Sequence, residues 1–219
     1  ELIDRALISL ENENEALKGK LDRRFGRSEQ QMEPGTMGML VDLISTIGFQ
    51  QEDRAKDILG DIYEYFLGKF AKAEGKQAGS FSTPSHVVKV LVEVLAPHSG
   101  RGYDPCCGSG GMFVQSESCI RSHGGNRDDI SIYGPESSFT TWRLAAMNLA
   151  ISGVTANLGE TNADTFARDQ FTDIKFDFIF ANPPFNVKKW NGDKYADDIR
   201  WKYGRPPEGN ANYAWLQHI

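Results

Sequence analysis

Gly-Tyr-Asp-Pro-Cys-Cys-Gly-Ser-Gly-Gly, residues 102–111, is the stretch from which the fold is inferred. Its first three residues read as the end of a strand, and three glycines, Gly108, Gly110 and Gly111, follow within a short turn. A helical pattern then runs from about residue 111 to 122. Glycines at such a turn let the backbone approach a ligand closely as the chain passes from strand to helix. The stretch therefore predicts one strand–turn–helix unit of an α/β sheet.

Strand and helix signals alternate on both sides of this unit. Thr83-Pro84 is typical of an N-cap followed by a proline at the first helical position. The further predicted elements are a helix over 84–95, a strand at 130–133, a helix over 139–151 stopped by Gly153, a short strand leading to Asp164, and a buried strand over 176–181. Strands separated by helices of this length form βαβ units with a parallel sheet. The predicted fold class is α/β, with a Rossmann-like sheet.

The chain before residue 80 carries helical patterns and no strand signal. Apolar residues recur at helical spacing in three segments, 3–21, 37–49 and 58–70. The polar segment 73–79 contains two glycines and is interpreted as a linker. We therefore expect an all-helical N-terminal domain, residues 1–78, and a Rossmann-like domain, residues 79–219.

Composition and charge exclude several classes of protein. Hydrophobic residues make up 40% of the 219 and charged residues 25%, an ordinary globular balance. No apolar run approaches the roughly 20 residues of a membrane helix, so no membrane partner is expected. The net charge of −6 argues against a domain that holds nucleic acid alone, so another protein would have to present such a partner. Three cysteines without CxxC spacing predict no metal site and favour a cytoplasmic location.

Two acidic residues follow the second and third predicted strands. Glu136 comes about 26 residues after Gly110, where an acid can accept the hydroxyl protons of a ribose. Asp164 follows the third strand, where it can accept a hydrogen bond from the amine of an adenine. Because the carboxyl ends of parallel strands meet at one end of a sheet, both acids and the glycine turn would face one crevice.

Each of these features also has a structural explanation that involves no ligand. A dinucleotide fits poorly because Phe113 stands where a third glycine is needed, and a P-loop is excluded because no Gly-Lys-Ser/Thr follows. The glycines alone can serve a tight structural turn. Glu136 can be an acid favoured at a helix N-terminus, and Asp164 can be a solvated loop residue.

Asn182-Pro183-Pro184-Phe185, directly after the fourth predicted strand, carries the strongest chemical signal. The prolines stiffen the turn and donate no N–H, so the turn presents acceptors. The side-chain oxygen of Asn182 and the carbonyl of Pro183 can accept both N–H groups of an amine, which frees the nitrogen lone pair to attack a methyl group. Phe185 would stack on a flipped-out base. The structural alternative is a rigid loop exit with a packed phenylalanine.

A locally basic and aromatic segment, residues 188–205, follows this turn. It contains Lys188, Lys189, Lys194, Arg200, Lys202, Arg205, Trp190, Trp201 and Tyr203. These residues can contact a DNA backbone or the displaced base. A solvated loop with core aromatics is an equal alternative.

Several motifs together resemble the modification (M) subunit of type I restriction-modification systems, which are adenine-N6 DNA methyltransferases that use S-adenosylmethionine. The motifs are Asp104-Pro-Cys-Cys-Gly-Ser-Gly-Gly-Met-Phe, Tyr133-Gly-Pro-Glu-Ser, Ala163-Asp-Thr-Phe166, Asn182-Pro-Pro-Phe, residues 209–219 and residues 61–68. The resemblance implies a site-specific enzyme that methylates adenine in duplex DNA.

The resemblance also implies roles for individual residues. The family's Phe-x-Thr-Pro segment, which binds the methionine end of the cofactor, matches Phe81, Ser82, Thr83 and Pro84. Asp104 with Gly108, Ser109, Gly110 and Gly111 would hold the rest of the methionine moiety. Glu136 would bind the ribose and Asp164 the adenine, while Asn182, Pro183, Pro184 and Phe185 would form the catalytic turn.

The implied partners are a specificity (S) subunit that reads the sequence, a restriction (R) subunit, and duplex DNA with a flipped adenine. The family's sheet has seven strands, and only four are predicted here. We therefore expect an N-terminal fragment with strand four as an unpaired edge, which binds cofactor weakly or not at all and does not methylate. The alternatives are methylation of RNA or of a protein glutamine, and an inert cofactor-binding or assembly fragment.

Overall fold

The computed structural model describes residues 2–21, 34–46, 59–60, 62–63, 65–69, 83–97, 99–126 and 129–219. The predicted linker, 73–79, and the predicted site residues Phe81 and Ser82 lie outside these ranges. The boundary between the two expected domains also falls there, so the division at residue 78 stays a prediction.

The described part of the N-terminal region is helical, as predicted. Helix α1 spans Leu2–Glu13, a 3-10 turn spans Glu15–Leu17, and α2 spans Pro34–Ser45. The described residues between 59 and 69 are helical as well. The Tyr63 hydroxyl donates a 2.8 Å hydrogen bond to the Leu144 carbonyl, so the N-terminal region contacts a helix of the sheet domain.

Helices and strands alternate through the remainder of the described chain. They are α3 (Ser85–Leu95), β1 (Gly100–Tyr103), α4 (Gly111–Ser122), β2 (Ile130–Tyr133), α5 (Phe139–Ser152), β3 (Ala156–Asn157), β4 (Phe178–Ile179) and α6 (Asn212–His218). Every described helix is too short or too polar to cross a lipid bilayer.

The four strands form one parallel sheet in the order β3-β2-β1-β4. Residue Gly102 of β1 lies opposite Ile132 of β2 on one side and Phe178 of β4 on the other. All four carboxyl ends therefore point to the same end of the sheet. Within the described residues β4 pairs only with β1, so it lies at an edge, as predicted.

Helix α5 ends where the sequence predicts, because its caps are specified locally. The Ser138 hydroxyl accepts the Thr141 N–H at the N-terminus, and Gly153 ends the helix in the left-handed conformation with φ of 68°. Helix α3 begins one residue later than predicted. Pro84 takes the N-cap position with ψ of 135°, which leaves Thr83 outside the helix.

The fourth strand is shorter than the predicted 176–181. The side-chain Oδ2 of Asp177 accepts the Arg101 N–H at 2.8 Å, so a carboxylate takes the donor that a ladder carbonyl would otherwise accept. Phe176 stacks on Tyr103 with ring centroids 4.3 Å apart. The Asp177 N–H still donates to the Arg101 carbonyl at 2.9 Å, so side-chain contacts and a backbone hydrogen bond together hold the start of this strand against β1.

Two buried clusters support the sheet. The larger one fills the space between the sheet and helices α3, α4 and α5, and includes Val88, Val92, Met112, Phe113, Ile132, Trp142, Leu149 and Phe180. The second lies beyond the strand ends and consists of Phe166, Trp190, Ala211, Ala214 and Trp215. The second cluster joins α6 to the loops that carry the predicted site.

Candidate functional site

A cavity of about 330 Å³ opens at the carboxyl end of the sheet. Four predicted site residues line it, namely Glu136, Asp164, Asn182 and Pro184. They come from loops that follow β2, β3 and β4. The structure thus brings together three separate motifs, and the volume lies within the usual range of small-molecule sites.

Glu136 follows β2 and is held by its own loop. Its Oε1 accepts the Ser138 N–H at 2.7 Å and lies 3.3 Å from the Ser137 hydroxyl, which donates to it. Its backbone carbonyl accepts the Ala163 N–H at 2.9 Å. This last bond ties the end of β2 to the loop that carries Asp164.

Asp164 is exposed at the cavity, on a loop fixed from both sides. Its Oδ1 accepts the Phe166 N–H at 2.9 Å, which is an Asx turn. The hydroxyl of the next residue, Thr165, donates to the carbonyl of Pro105 in the glycine-rich turn after β1. The loop is therefore anchored to the turn beside it.

The glycine-rich turn itself lies behind the cavity. Gly108 and Gly110 adopt positive φ values of 56° and 76°, which explains why glycines stand there. The buried Asn148 of α5 donates from Nδ2 to the Ser109 carbonyl at 2.9 Å and fixes the turn on the helix. Pro105 and Cys106 line the cavity, whereas Asp104, Gly108, Ser109, Gly110 and Gly111 do not.

Asp104 is fully enclosed at the end of β1. Its Oδ1 accepts the Cys106 N–H at 3.0 Å. Burial, with a smaller contribution from the charge of Glu136, raises the pKa of the Asp104 carboxyl to about 7, against the lowering effect of the Cys106 hydrogen bond. Burial likewise raises the pKa of both the Cys106 and the Cys107 thiols.

The Asn-Pro-Pro-Phe turn meets the residue that precedes α3. Asn182 Nδ2 donates to the Thr83 hydroxyl oxygen at 3.1 Å, across 99 residues of sequence. This hydrogen bond orients the Asn182 amide at the cavity. Pro183 and Pro84 are not among the residues that line the cavity. Phe185, the last residue of the turn, is 80% exposed.

The basic and aromatic segment 188–205 divides into two parts. Trp190 is buried in the second core cluster and Trp201 packs against it, so these aromatics are core residues. Arg200 donates to Asp198 and to the carbonyls of Thr165 and Phe166. Of the basic and aromatic residues of the segment, the exposed ones are Lys188, Lys189, Lys194, Lys202, Tyr203 and Arg205, and Asp193 and Asp197 among them are exposed too. Contact of these residues with DNA stays a prediction.

Sequence reasoning missed much of the cavity wall. The missed residues are Pro105, Cys106, Ser137, Ser138, Thr141, Ala163, Thr165, Phe166, Val187, Ala211 and Trp215, whereas Lys189 and Trp190 are predicted only as candidate DNA contacts. Several stand inside the motifs that carried the resemblance, which was the available signal. Trp215 reaches the cavity only because α6 packs on Phe166, with ring centroids 4.4 Å apart.

The residues at the cavity fit a cationic, nucleoside-containing molecule. Glu136 and Asp164 provide carboxylates for hydroxyl and amine donors, and both complement positive charge. In the adjoining turn, the buried Ser109 hydroxyl has no hydrogen-bond partner among the described residues. Such an orphaned buried group is unusual unless a ligand or water satisfies it. These acceptors, with the Ser109 hydroxyl in the adjoining turn, fit the hydroxyl, amine and positively charged groups of S-adenosylmethionine.

The fold and the strand-end site define the class: a Rossmann-like fold of the S-adenosylmethionine-dependent methyltransferases. The chain belongs to the N-6 DNA methylase family, whose family model matches residues 54–219.

The chain is 50% identical over its full length to the HindI type I restriction enzyme methylase subunit of Haemophilus influenzae, covering 50% of that protein. It is 39% identical over its full length to the MjaIX methylase subunit of Methanocaldococcus jannaschii, covering 40% of it. A crystal structure of a type I methyltransferase subunit from Streptococcus thermophilus superposes on 99% of the chain with a TM-score of 0.77 and 27% identity, covering 47% of that subunit. The chain therefore spans about half the length of these relatives.

Proposed function

We propose that this chain carries the cofactor cleft and the catalytic turn of an adenine-N6 DNA methyltransferase, the modification subunit of a type I restriction-modification system. The observation that carries the proposal is that Glu136, Asp164 and Asn182 line one cavity. The family and the type I relatives support the choice of DNA adenine as substrate.

The proposed cofactor roles are those that the family resemblance implies. Glu136 would accept hydrogen bonds from ribose hydroxyls, and Asp164 would accept one from the adenine amine. Thr83 and Pro84 with Phe81 and Ser82, together with Asp104 and the Gly108–Gly111 turn, would hold the methionine end. The N-terminus of α3 favours a carboxylate there. Bound S-adenosylmethionine supplies an electrophilic methyl group.

The catalytic turn acts by holding the target amine. Asn182 Oδ1 and the Pro183 carbonyl accept the two N–H groups of adenine N6. This pairing draws the nitrogen lone pair out of conjugation with the ring and directs it toward the methyl group. Once the nitrogen carries positive charge, one of the two amine protons becomes acidic and would pass to solvent, while the demethylated cofactor would leave as a neutral thioether. A strong general base is therefore unnecessary, and the cleft needs none.

Phe185 and the partner subunits complete the proposal. The exposed ring of Phe185 would stack on the flipped adenine. This stacking would offset part of the free energy needed to unstack the base from the duplex. Because the net charge is −6, a specificity subunit would make most of the contacts with duplex DNA. A restriction subunit would join the same cytoplasmic complex.

Four strands of the family's seven are predicted from this sequence, and on that basis weak or no cofactor binding is expected. The cavity, however, is bounded by the ends of β1, β2 and β4, the loop after β3 and helix α6, all of which the chain contains. We therefore propose that the cleft binds cofactor without further strands.

Methyl transfer tests the proposed function directly. The chain, with its specificity subunit, is incubated with methyl-labelled S-adenosylmethionine and with unmethylated DNA, RNA or a release-factor protein. We expect N6-methyladenine in DNA, lowered about 100-fold or more by Asn182→Ala and unchanged by Asn157→Ala, whose side chain lies outside the cavity. Label in RNA or on glutamine, or no label anywhere from protein that binds cofactor, would overturn the proposal.

A further inference from the structure

Three side chains with metal-binding chemistry meet far from the cleft. Glu93 lies near the end of α3, Cys119 near the end of α4, and His123 directly after α4. One donor atom from each residue lies within 4.8 Å of the other two. None of the three lines the cavity described above.

The distances resemble those around a tetrahedral ion. Cys119 Sγ lies 3.3 Å from Glu93 Oε1, and His123 Nε2 lies 3.5 Å from Glu93 Oε2. Zinc with ligand bonds of about 2.0–2.3 Å sets its ligand atoms about 3.3–3.6 Å apart. The Glu93 and His123 side chains are each about half exposed, so they are open to an ion from solvent.

The histidine is already oriented for ligation. His123 Nδ1 lies 2.9 Å from the Cys119 carbonyl, 3.2 Å from the Ser122 hydroxyl and 3.7 Å from Cys119 Sγ. In the tautomer with its proton on Nδ1, that proton is donated to the carbonyl. The lone pair is then on Nε2, the nitrogen that faces Glu93. A ligating histidine usually has this arrangement, in which the second ring nitrogen donates to a carbonyl or carboxylate.

We propose that Glu93, Cys119 and His123 form a binding site for zinc or a similar borderline-soft divalent ion. Thiolate, imidazole and carboxylate are the ligands zinc prefers, and three protein ligands leave one position for water. The Cys119 thiol releases its proton to solvent when it binds the ion.

The ion would join two helices that support the cleft at their other ends. Helix α3 begins next to Thr83, and α4 begins directly after Gly110. A ligand that binds only the folded protein raises its stability. Zinc is therefore expected to stabilise the α3–α4 pair without taking part in catalysis.

Cobalt titration followed by zinc displacement tests the site. We expect one equivalent of Co²⁺ to produce a thiolate-to-cobalt charge-transfer absorption in the reduced protein, which Zn²⁺ then abolishes while raising the melting temperature. Cys119→Ser should remove this absorption although Cys106 and Cys107 remain. Glu93→Gln and His123→Asn should each weaken zinc binding by at least about tenfold.

The matched control is His86→Asn, which removes another exposed histidine of α3. It should keep both the absorption and the thermal shift. An absorption that survives Cys119→Ser, or a zinc-induced thermal shift that survives both Cys119→Ser and His123→Asn, would overturn the proposal. So would the absence of any cobalt absorption from folded native protein.

Discussion

Three features of the structure act on the pKa of the Asp104 carboxyl. They are its burial, the hydrogen bond from Cys106 and the charge of nearby Glu136. Its pKa of about 7 lies above the ordinary 3.8. Between these values the folded protein holds a proton that the unfolded chain has lost. Below about pH 3.8 the carboxyl is protonated in both the folded and the unfolded protein, so it does not lower the free energy of unfolding there. Between pH 3.8 and about 7 the free energy of unfolding falls as the pH rises.

The Asp104→Asn substitution should remove this pH dependence. Asparagine keeps an oxygen for the Cys106 N–H and cannot ionise. We expect equal stability of native and variant protein near pH 4, and a variant that gains about 1.4 kcal/mol for each pH unit between there and 7. Urea unfolding across this pH range measures the difference. The exposed Asp193→Asn is the control, and a difference that does not change with pH would contradict the argument.

Thr83 is the positioning residue for Asn182 because its hydroxyl oxygen accepts the amide N–H. Thr83→Val should lower kcat by about 3- to 10-fold at saturating cofactor, the worth of one ordinary hydrogen bond. Thr83→Ser should restore the rate, since it keeps the hydroxyl. Single-turnover methylation measures both. An unchanged rate in the valine variant, or an equal loss in the serine variant, would exclude the positioning role.

At the scale of the elements, helix α5 supports the glycine turn. A Cβ on Gly110 would lie 3.5 Å from Leu149 Cγ and 3.7 Å from Ala145 Cβ, so the turn rests directly on the helix. Asn148 holds the same turn through the Ser109 carbonyl. Packing of α5 therefore sets the path of the chain toward the cavity.

Leu149→Ala tests this support. Leu149 is buried in the main core, and removing its side chain should cost about 2–5 kcal/mol of unfolding free energy. Leu216→Ala, on the 69% exposed Leu216 of α6, should change it by no more than about 0.5 kcal/mol. Chemical denaturation measures both variants. Equal losses in the two would show that the turn does not depend on this packing.

Local signals explain which elements the sequence predicts well. The bounds of α4 and α5 follow from glycines and an N-cap serine beside them, and Glu136, Asp164 and Asn182 follow from the rule that sites lie at strand ends. The short β4 and the Thr83–Asn182 hydrogen bond depend on partners far along the chain. The Glu93–Cys119 contact spans 26 residues and two helices, which no local spacing encodes.

At the scale of the whole molecule, the chain combines a cavity at the strand ends with an edge strand and a net charge of −6. It spans about half the length of its relatives. The cavity draws its walls from α6 and the second core cluster as well as from the sheet. The central claim is therefore that this chain by itself forms the cofactor cleft.

Calorimetric titration of S-adenosylmethionine into the 219-residue chain tests that claim most directly. We expect saturable binding of one equivalent. Glu136→Gln should lower the affinity about 10- to 100-fold, because the charged hydrogen bonds to the ribose are lost. Glu208→Gln, at an exposed glutamate paired with Arg205, should leave binding unchanged. No saturable heat from a chain that circular dichroism shows to be folded, or equal binding by native and Glu136→Gln protein, would contradict it.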